Sequence, residues 1–382
     1  MIKCDTHIEF GSLVNRVSKG VSAISENTWV IELEDIEKES GRLRYHRIES
    51  GINSTKSVFT CEDVLYSKLR PYLKKYFLPH SNGICTSELW VIRPNKKISR
   101  EYIFYLMQSP YFTRLTGVSS GSKMPRASWN YVKQSEVPIH SDENVRLKIC
   151  KTFDFVDQKI TLLRKKKEAF EAYKKGLVQK IFSQELRFKR EDGTDYPDWM
   201  SIKLKDVLEE YILKTTINDQ HPILSSTNSG LYLQSDYFRH QVASKDNVGY
   251  KVIRAGMVVL SPQNLWMGNI NINQEFEVGI VSPSYKIFKH SFYDDTIAKE
   301  WLINSRMLFN YMLASEQGAS IVRRNLSLTD FYDIRISIPS NSDEMSRISK
   351  VISSLDIEIS NLTKKLEKST KLKQGLLQQM FV

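Results

Sequence analysis

ICKTFDFVDQKITLLRKKKEAFEAYKKGLVQKIF, residues Ile149–Phe182, returns 199 positions later as ISKVISSLDIEISNLTKKLEKSTKLKQGLLQQMF, residues Ile348–Phe381. The two segments align without a gap and share 13 of 34 positions, among them Asp157/Asp356, Lys165/Lys364, Gly176/Gly375, Gln179/Gln378 and Phe182/Phe381. Apolar residues fall at Ile149, Phe153, Val156, Ile160, Leu163, Phe170 and Leu177 in the first copy. The second carries Ile348, Ile352, Leu355, Ile359, Leu362, Leu366 and Leu376. Steps of three and four without an interior proline predict a long helix with a narrow, coiled-coil-like seam. Thirty-four helical residues span about 50 Å. A single amphipathic helix of that length is poorly stable alone, and the matching register makes the other copy its partner.

Outward from these helices the chain reads as one unit used twice, since the 199 offset already holds from Ser128/Ser327. Short strands bounded by turn residues are expected at Val58–Cys61, Val64–Tyr66 and Leu89–Ile92, and again at Val252–Arg254, Met257–Ser261 and Gly279–Ser282. A helix is expected at Glu101–Gln108 in the first half and at Thr296–Ala314 in the second. Each half then has a glycine–small–basic loop, Gly121-Ser122-Lys123-Met124-Pro125-Arg126 and Gly318-Ala319-Ser320-Ile321-Val322-Arg323-Arg324. Trp129 and Leu328 open a final strand-like stretch. Phe188–Trp199, with Asp192-Gly193 and Tyr196-Pro197, has the turn chemistry of a joint. The fold class is therefore α/β (α+β), a two-domain pseudo-repeat with two long helices. Its expected divisions are 1–145, helix 146–186, joint 187–198, 199–341 and helix 342–382.

The 382 residues suit two domains. The net charge of +11 is unevenly placed. Residues 1–150 hold 22 basic and 16 acidic side chains (+6), 151–190 hold 12 and 5 (+7), and 191–382 hold 21 and 23 (−2). A basic surface binds polyanions by releasing counterions, but the second half has no such excess. The four scattered cysteines (Cys4, Cys61, Cys85, Cys150) form no metal or disulfide spacing and point to a reducing cytoplasm. No apolar run approaches the ~18 residues of a membrane span.

Catalytic motifs are missing. There is no P-loop, GxGxxG turn, HExxH or GxSxG, and no Asn/Asp-Pro-Pro-Tyr/Phe segment for amino-group methylation. The acidic run Glu32, Glu34, Asp35, Glu37 and Glu39 reads as a solvated surface rather than a metal site. What remains suits DNA. Tyr66–Tyr76 interleaves Lys68, Arg70, Lys74 and Lys75 with Tyr72, combining phosphate-neutralising cations with an arginine fork for guanine. The corresponding Leu260–Asn269 offers Gln263, Asn264, Trp266 and Asn269, amides that pair with adenine. Ser122, Lys123, Arg126, Arg323 and Arg324 in the basic loops join these candidates. One scaffold with two different polar tips is what two readers of two short sequences require.

At this point the chain resembles the specificity subunit of Type I restriction–modification systems. The resemblance rests on Asp157…Lys174-Lys175-Gly176-Leu177-Val178-Gln179-Lys180-Ile181-Phe182 and its echo Asp356…Lys373-Gln374-Gly375-Leu376-Leu377-Gln378-Gln379-Met380-Phe381. Ser87-Glu88-Leu89, Gln108-Ser109-Pro110-Tyr111-Phe112 and the joint add to it. It implies two target recognition domains held apart by two helices packed as an antiparallel coiled coil, with the helices setting the spacing. Each domain then reads half of a bipartite double-stranded DNA site. Two modification (methyltransferase) subunits dock on the helices, and restriction/translocase subunits join them. The resemblance also implies no catalysis and no cofactor in this chain. S-adenosylmethionine, ATP and Mg belong to the partner subunits. Ser225–Leu231 looks like a domain edge of this family and adds Ser226 and Asn228 to the candidate DNA contacts. The seam residues Ile149, Val156, Ile160, Leu163 and Leu177, with Ile348, Leu355, Ile359, Leu362 and Leu376, are assigned to helix pairing and partner docking. A coiled-coil adaptor that binds proteins instead of DNA is the alternative.

Overall fold

The computed structural model describes residues 4–51, 54–120, 124–237, 246–320 and 323–382; for 119–120, 316–320 and Arg323 it describes the backbone alone. Two compact units divide the chain, Met1–Lys167 with Asn361–Val382, and Glu168–Ser360. The duplicated segments are helices, the central one Glu143–Phe182 and the C-terminal one Ser342–Met380. The central helix starts three residues before the expected 146, and the C-terminal helix starts at the expected 342. Asp142 and Asn341, again 199 apart, accept backbone N–H groups of the opening turn: Asn144 on Asp142 at 2.8 Å, and Asp343 on Asn341 at 2.8 Å. Such caps satisfy the unpaired donors of a helix start.

In the first unit the strand Thr6–Glu9 pairs antiparallel with Glu136–Ile139. A four-stranded sheet follows in the order Val14–Val17, Leu89–Pro94, Val64–Ser67, Tyr76–Phe77. A five-stranded sheet orders Gly20–Val21, Lys56–Phe59, Gly83–Thr86, Thr28–Ile31 and Arg47–Glu49. The second unit repeats the plan. Met200–Lys203 pairs with Arg335–Ile338, and Leu208–Glu210, Lys286–His290, Val258–Leu260 and Ile270–Ile272 form the four-stranded sheet. Lys251–Arg254 with Val278–Val281 matches Lys56–Phe59 with Gly83–Thr86. Gly83 and Gly279 play the same part. A Cβ at Gly83 would meet the Trp29 carbonyl and the Phe59 ring at 2.7 Å, and one at Gly279 would meet Leu224 at 2.4 Å.

Two expectations need correcting. The helix expected over Thr296–Ala314 is broken into Asp295–Leu302 and Ser305–Leu313, because the Asn304 side chain caps a new start at Met307 N. The first half has the same break, Arg100–Gln108 then Pro110–Gly117, with Ser109 as cap and proline at the first helical position. The stretches opened by Trp129 and Leu328 are short helices, Trp129–Gln134 and Leu328–Asp333, since Ser128 and Ser327 cap them. The strands begin only afterwards.

Each core takes side chains from both long helices. In the first unit Ile149 and Phe153 pack with Leu377 and Phe381, the Phe153 and Phe381 rings being 6.3 Å apart. In the second, Ile181 packs with Ile348 and Ile352. Asp157 meets Lys373 at 2.7 Å in the first unit, and Lys174 meets Asp356 at 2.8 Å in the second. In both units rising numbers on one helix meet falling numbers on the other, so the pairing is antiparallel, as the resemblance implied. The two ion pairs are one pair used twice with the partners exchanged, since Asp157 corresponds to Asp356 and Lys174 to Lys373. Of the ten seam residues, Ile149, Val156, Ile160, Ile348 and Leu362 are buried; Leu163, Leu177, Leu355, Ile359 and Leu376 are half-buried. The seam reading omitted the buried Ile181, Leu377 and Phe381.

The joint is itself anchored. Arg187 grips the fully buried Glu344 carboxylate with two N–H groups, at 3.1 and 2.9 Å, and donates to the carbonyl of Pro197 at 2.6 Å. Gly193, at φ +82°, turns the chain so that Arg190 N–H reaches Thr194 O.

Candidate nucleic-acid interface

In each unit the structure brings the polar tip and the glycine–basic loop together. In the first, the tip runs from Ser67 through the short helix Pro71–Leu73 to Tyr76. The loop is a hairpin, Ser119–Ser120 with Arg126–Ala127. Arg70 N–H donates to Pro125 O at 2.8 Å, and Ala127 N–H to Lys68 O at 2.8 Å. In the second, the tip contains Leu265–Met267 and the hairpin is Ser315–Ser320 with Arg323–Leu326. Arg324 N–H donates to Gln263 O at 3.2 Å. Positions 55 apart in the first unit (Arg70 and Pro125) and 61 apart in the second (Gln263 and Arg324) thus form one surface twice.

The first tip divides by what its cations already hold. Arg70 is exposed, with a left-handed φ of +50°, and Tyr72 beside it is 58% exposed. Lys68 is half-buried and lines a cleft of about 230 Å³ with Arg16, Lys56 and Trp90. Lys74 pairs with Glu39 at 3.0 Å. Lys75 donates to Leu33 O at 2.7 Å, and burial, helped by Arg44 and Lys38, holds its pKa below the ordinary lysine value. Lys74 and Lys75 therefore fasten the tip down. Arg126 gives the Nε–Nη2 edge of its guanidinium to Glu88, Nε to Oε2 at 3.2 Å and Nη2 to Oε1 at 3.1 Å, which raises its pKa. Glu88 was quoted within a motif but not as a site residue; its contact joins positions 38 apart and has no local signal. Ser122 and Lys123 lie outside the described residues.

In the second tip Gln263 is exposed, and Asn264 donates to Ser261 Oγ at 3.2 Å. Trp266 lies under Arg324, whose Cζ is 4.8 Å from the ring centroid. Asn228 is exposed at the turn between Leu224–Thr227 and Gly230–Leu233. Ser226 and Asn269 are interior instead. Ser226 Oγ donates to Asn269 Oδ1 at 2.6 Å, Asn269 Nδ2 to Ser226 O at 2.9 Å, and Asn271 Nδ2 to Ser226 Oγ at 2.8 Å. Buried polar groups must be paired, and here they pair with one another. Of Arg323, the strand position alone is described.

The acidic run is not the solvated surface its composition suggested. Asp35 is fully buried and accepts Arg47 Nε at 2.7 Å; Glu32 pairs with Lys56 and Glu37 with Arg164. Glu34 and Glu39 are the exposed members of the run. No group of three potential metal ligands occurs among the described residues, and the four cysteines are free. No helix of the described residues is long and apolar enough to cross a membrane.

No protein-family model matches the chain. A 93-residue stretch is 31% identical to the specificity subunit of the Type I restriction enzyme EcoDI of Escherichia coli, over 24% of this chain. The aligned stretch spans 20% of the length of that relative. Two solved structures share the fold almost end to end. One is the S subunit of a Type I restriction–modification system from M. genitalium, with TM-score 0.61 and 14% identity over 99% of this chain and 96% of that one. The other comes from work on complex assembly and conformational transition of the type I R-M system, with TM-score 0.55 and 17% identity over 97% and 96%. The chain thus has the fold of Type I specificity subunits over nearly its whole length, beside a local sequence similarity to one of them.

Proposed function

We propose that this chain is the DNA-sequence-recognition subunit of a Type I restriction–modification complex. Each unit reads one half of a bipartite double-stranded site, and the helices set the spacer and receive two modification subunits. Restriction/translocase subunits complete the assembly. The chain carries out no chemistry itself; S-adenosylmethionine, ATP and Mg act on the partners, in the cytoplasm. One observation carries this reading: the two units share an outer strand pair, a four-stranded sheet and a matching strand pair beside it, while the tip-and-hairpin surface differs in its polar side chains. In the first, Arg70, Lys68 and Tyr72 suit phosphate and guanine contacts; in the second, Gln263, Asn264 and the Trp266–Arg324 stack suit base edges.

The test is methylation mapping. The chain is combined with its modification subunits and S-adenosylmethionine, and adenines methylated in unmodified DNA are located. A bipartite motif with a fixed spacer is expected, and replacing residues 199–341 by another recognition domain should change one half of it only. A complex that methylates no bipartite site, or the same site after the exchange, refutes the proposal. A steep fall of duplex affinity with salt separates it from a protein-binding adaptor.

A further inference from the structure

We propose that Arg324 reads a guanine in the second half-site, with Trp266 as the platform that presents it; this rests on the recognition role above. Three features of the second tip lead there. The first is the platform. Leu265 is fully buried, Gly268 closes the short turn at φ +89°, and its N–H donates to Leu265 O at 2.8 Å. Trp266 is therefore held by its neighbours on both sides. The second is the tether. The Arg324 backbone N–H is bonded to Gln263 O, which fixes the start of the side chain to the same tip that holds the ring. The third is the kind of contact. Arg324 meets an aromatic ring, which leaves its N–H groups uncommitted to a carboxylate, and no acid among the described residues pairs with it. Arg126 in the first unit is the counterexample, because its Nε–Nη2 edge is already paired with the Glu88 carboxylate.

A guanidinium fixed against an aromatic ring keeps its planar donors for a two-pronged acceptor, and an ammonium cannot substitute for that geometry. Guanine O6 and N7 are such an acceptor in the major groove. A phosphate is another. The surroundings favour the base, since residues 191–340 hold 14 basic and 18 acidic side chains, net −4, and attract phosphates weakly. The neighbouring tip groups Gln263 and Asn264 are also neutral hydrogen-bonding amides.

The experiment compares methylation motifs of the complete complex carrying the natural chain, Arg324→Lys, Arg324→Ala or Trp266→Leu, on unmodified genomic DNA. The natural complex is expected to fix a G·C pair in the second half-site. Arg324→Ala should relax that one position by roughly five- to hundred-fold in discrimination, and Arg324→Lys, which keeps the charge but loses the planar fork held on Trp266, should relax it less. Trp266→Leu should relax the same position, and the first half-site should stay fixed in all three. A motif unchanged in Arg324→Ala, with only a slower rate and a shallower salt dependence, would make Arg324 a phosphate contact and overturn the inference. A natural second half-site without any G·C pair would overturn it with no variant needed. If the natural complex methylates no bipartite site, the recognition role itself has failed.

Discussion

Lys174 and Lys373 occupy equivalent positions of the repeat and should differ in what their removal costs. Lys174 Nζ contacts Glu300 at 2.6 Å and Asp356 at 2.8 Å, and the Glu300 side chain is only 12% exposed. Replacing Lys174 with methionine leaves two carboxylates facing one another with no cation. Breaking a buried pair costs about 3–5 kcal/mol; because Asp356 is 39% exposed, roughly 3 kcal/mol is expected. Lys373 holds a single carboxylate, Asp157, which is 31% exposed and also accepts the Tyr105 hydroxyl at 3.3 Å. Lys373 is itself buried, so methionine recovers apolar packing, and Lys373→Met should cost about 1 kcal/mol or less. Hydrogen exchange in the intact chain separates the two. Protection in helix Asp295–Leu302 should fall on the order of a hundredfold in Lys174→Met, since each 1.4 kcal/mol is tenfold. Protection in helix Arg100–Gln108 should fall less than tenfold in Lys373→Met. Adding Glu300→Gln to Lys174→Met should restore a large part of the loss. A Lys373→Met cost equal to that of Lys174→Met, or no rescue by Glu300→Gln, would show that carboxylate repulsion is the wrong account.

The same lysines should respond oppositely to alkali. Burial opposes the Lys174 charge, but Asp356 and Glu300 outweigh it and raise its pKa, so its stabilisation is complete below the ordinary value of 10.5 and is lost as pH climbs through the raised value. Burial lowers the Lys373 pKa with Asp157 opposing, so its unit should gain stability as pH rises from the lowered value toward 10.5; alkaline melts of the two methionine variants check both slopes. Arg187→Ala strands the buried Glu344 carboxylate and should cost about 3–5 kcal/mol, seen as a lower urea midpoint for the second unit. Ser226→Ala removes the shared partner of Asn269 and Asn271 and should cost about 1–3 kcal/mol while leaving the methylation motif unchanged; a changed motif would return Ser226 to the reading surface. Gly83→Ala drives a Cβ into the Trp29 carbonyl and should destabilise by about 1–3 kcal/mol in a thermal melt.

The long helices were legible because their apolar steps persist over many turns, and the doubling was legible because the 199 offset holds without a gap from Ser128/Ser327 to Phe182/Phe381. Strands such as Val64–Ser67 and Leu89–Pro94 were bounded by turn residues and fell where expected. The short helices after Ser128 and Ser327 were not, since six residues are too few to establish a period and only the capping serine marks them. Site residues were harder. Nothing local separates Lys75, whose ammonium is spent on a carbonyl, from Arg70, which stays exposed; the difference lies in Leu33, 42 positions upstream. Ser226 and Asn269 looked like donors for DNA because polarity alone does not say which way a side chain faces. Pairing of distant partners decides that.

Because Leu377 and Phe381 lie in the core of Phe10, Tyr102 and Phe153, the unit that begins before Glu168 lacks part of its interior until residues 377–381 have been made. Cys4 Sγ even donates to the carbonyl of Met380 at 3.1 Å. During synthesis the residues of Glu168–Ser360 are therefore all available before those of the unit that precedes them in sequence. Removing Leu377 and Phe381 would damage a core more than two hundred residues upstream in sequence.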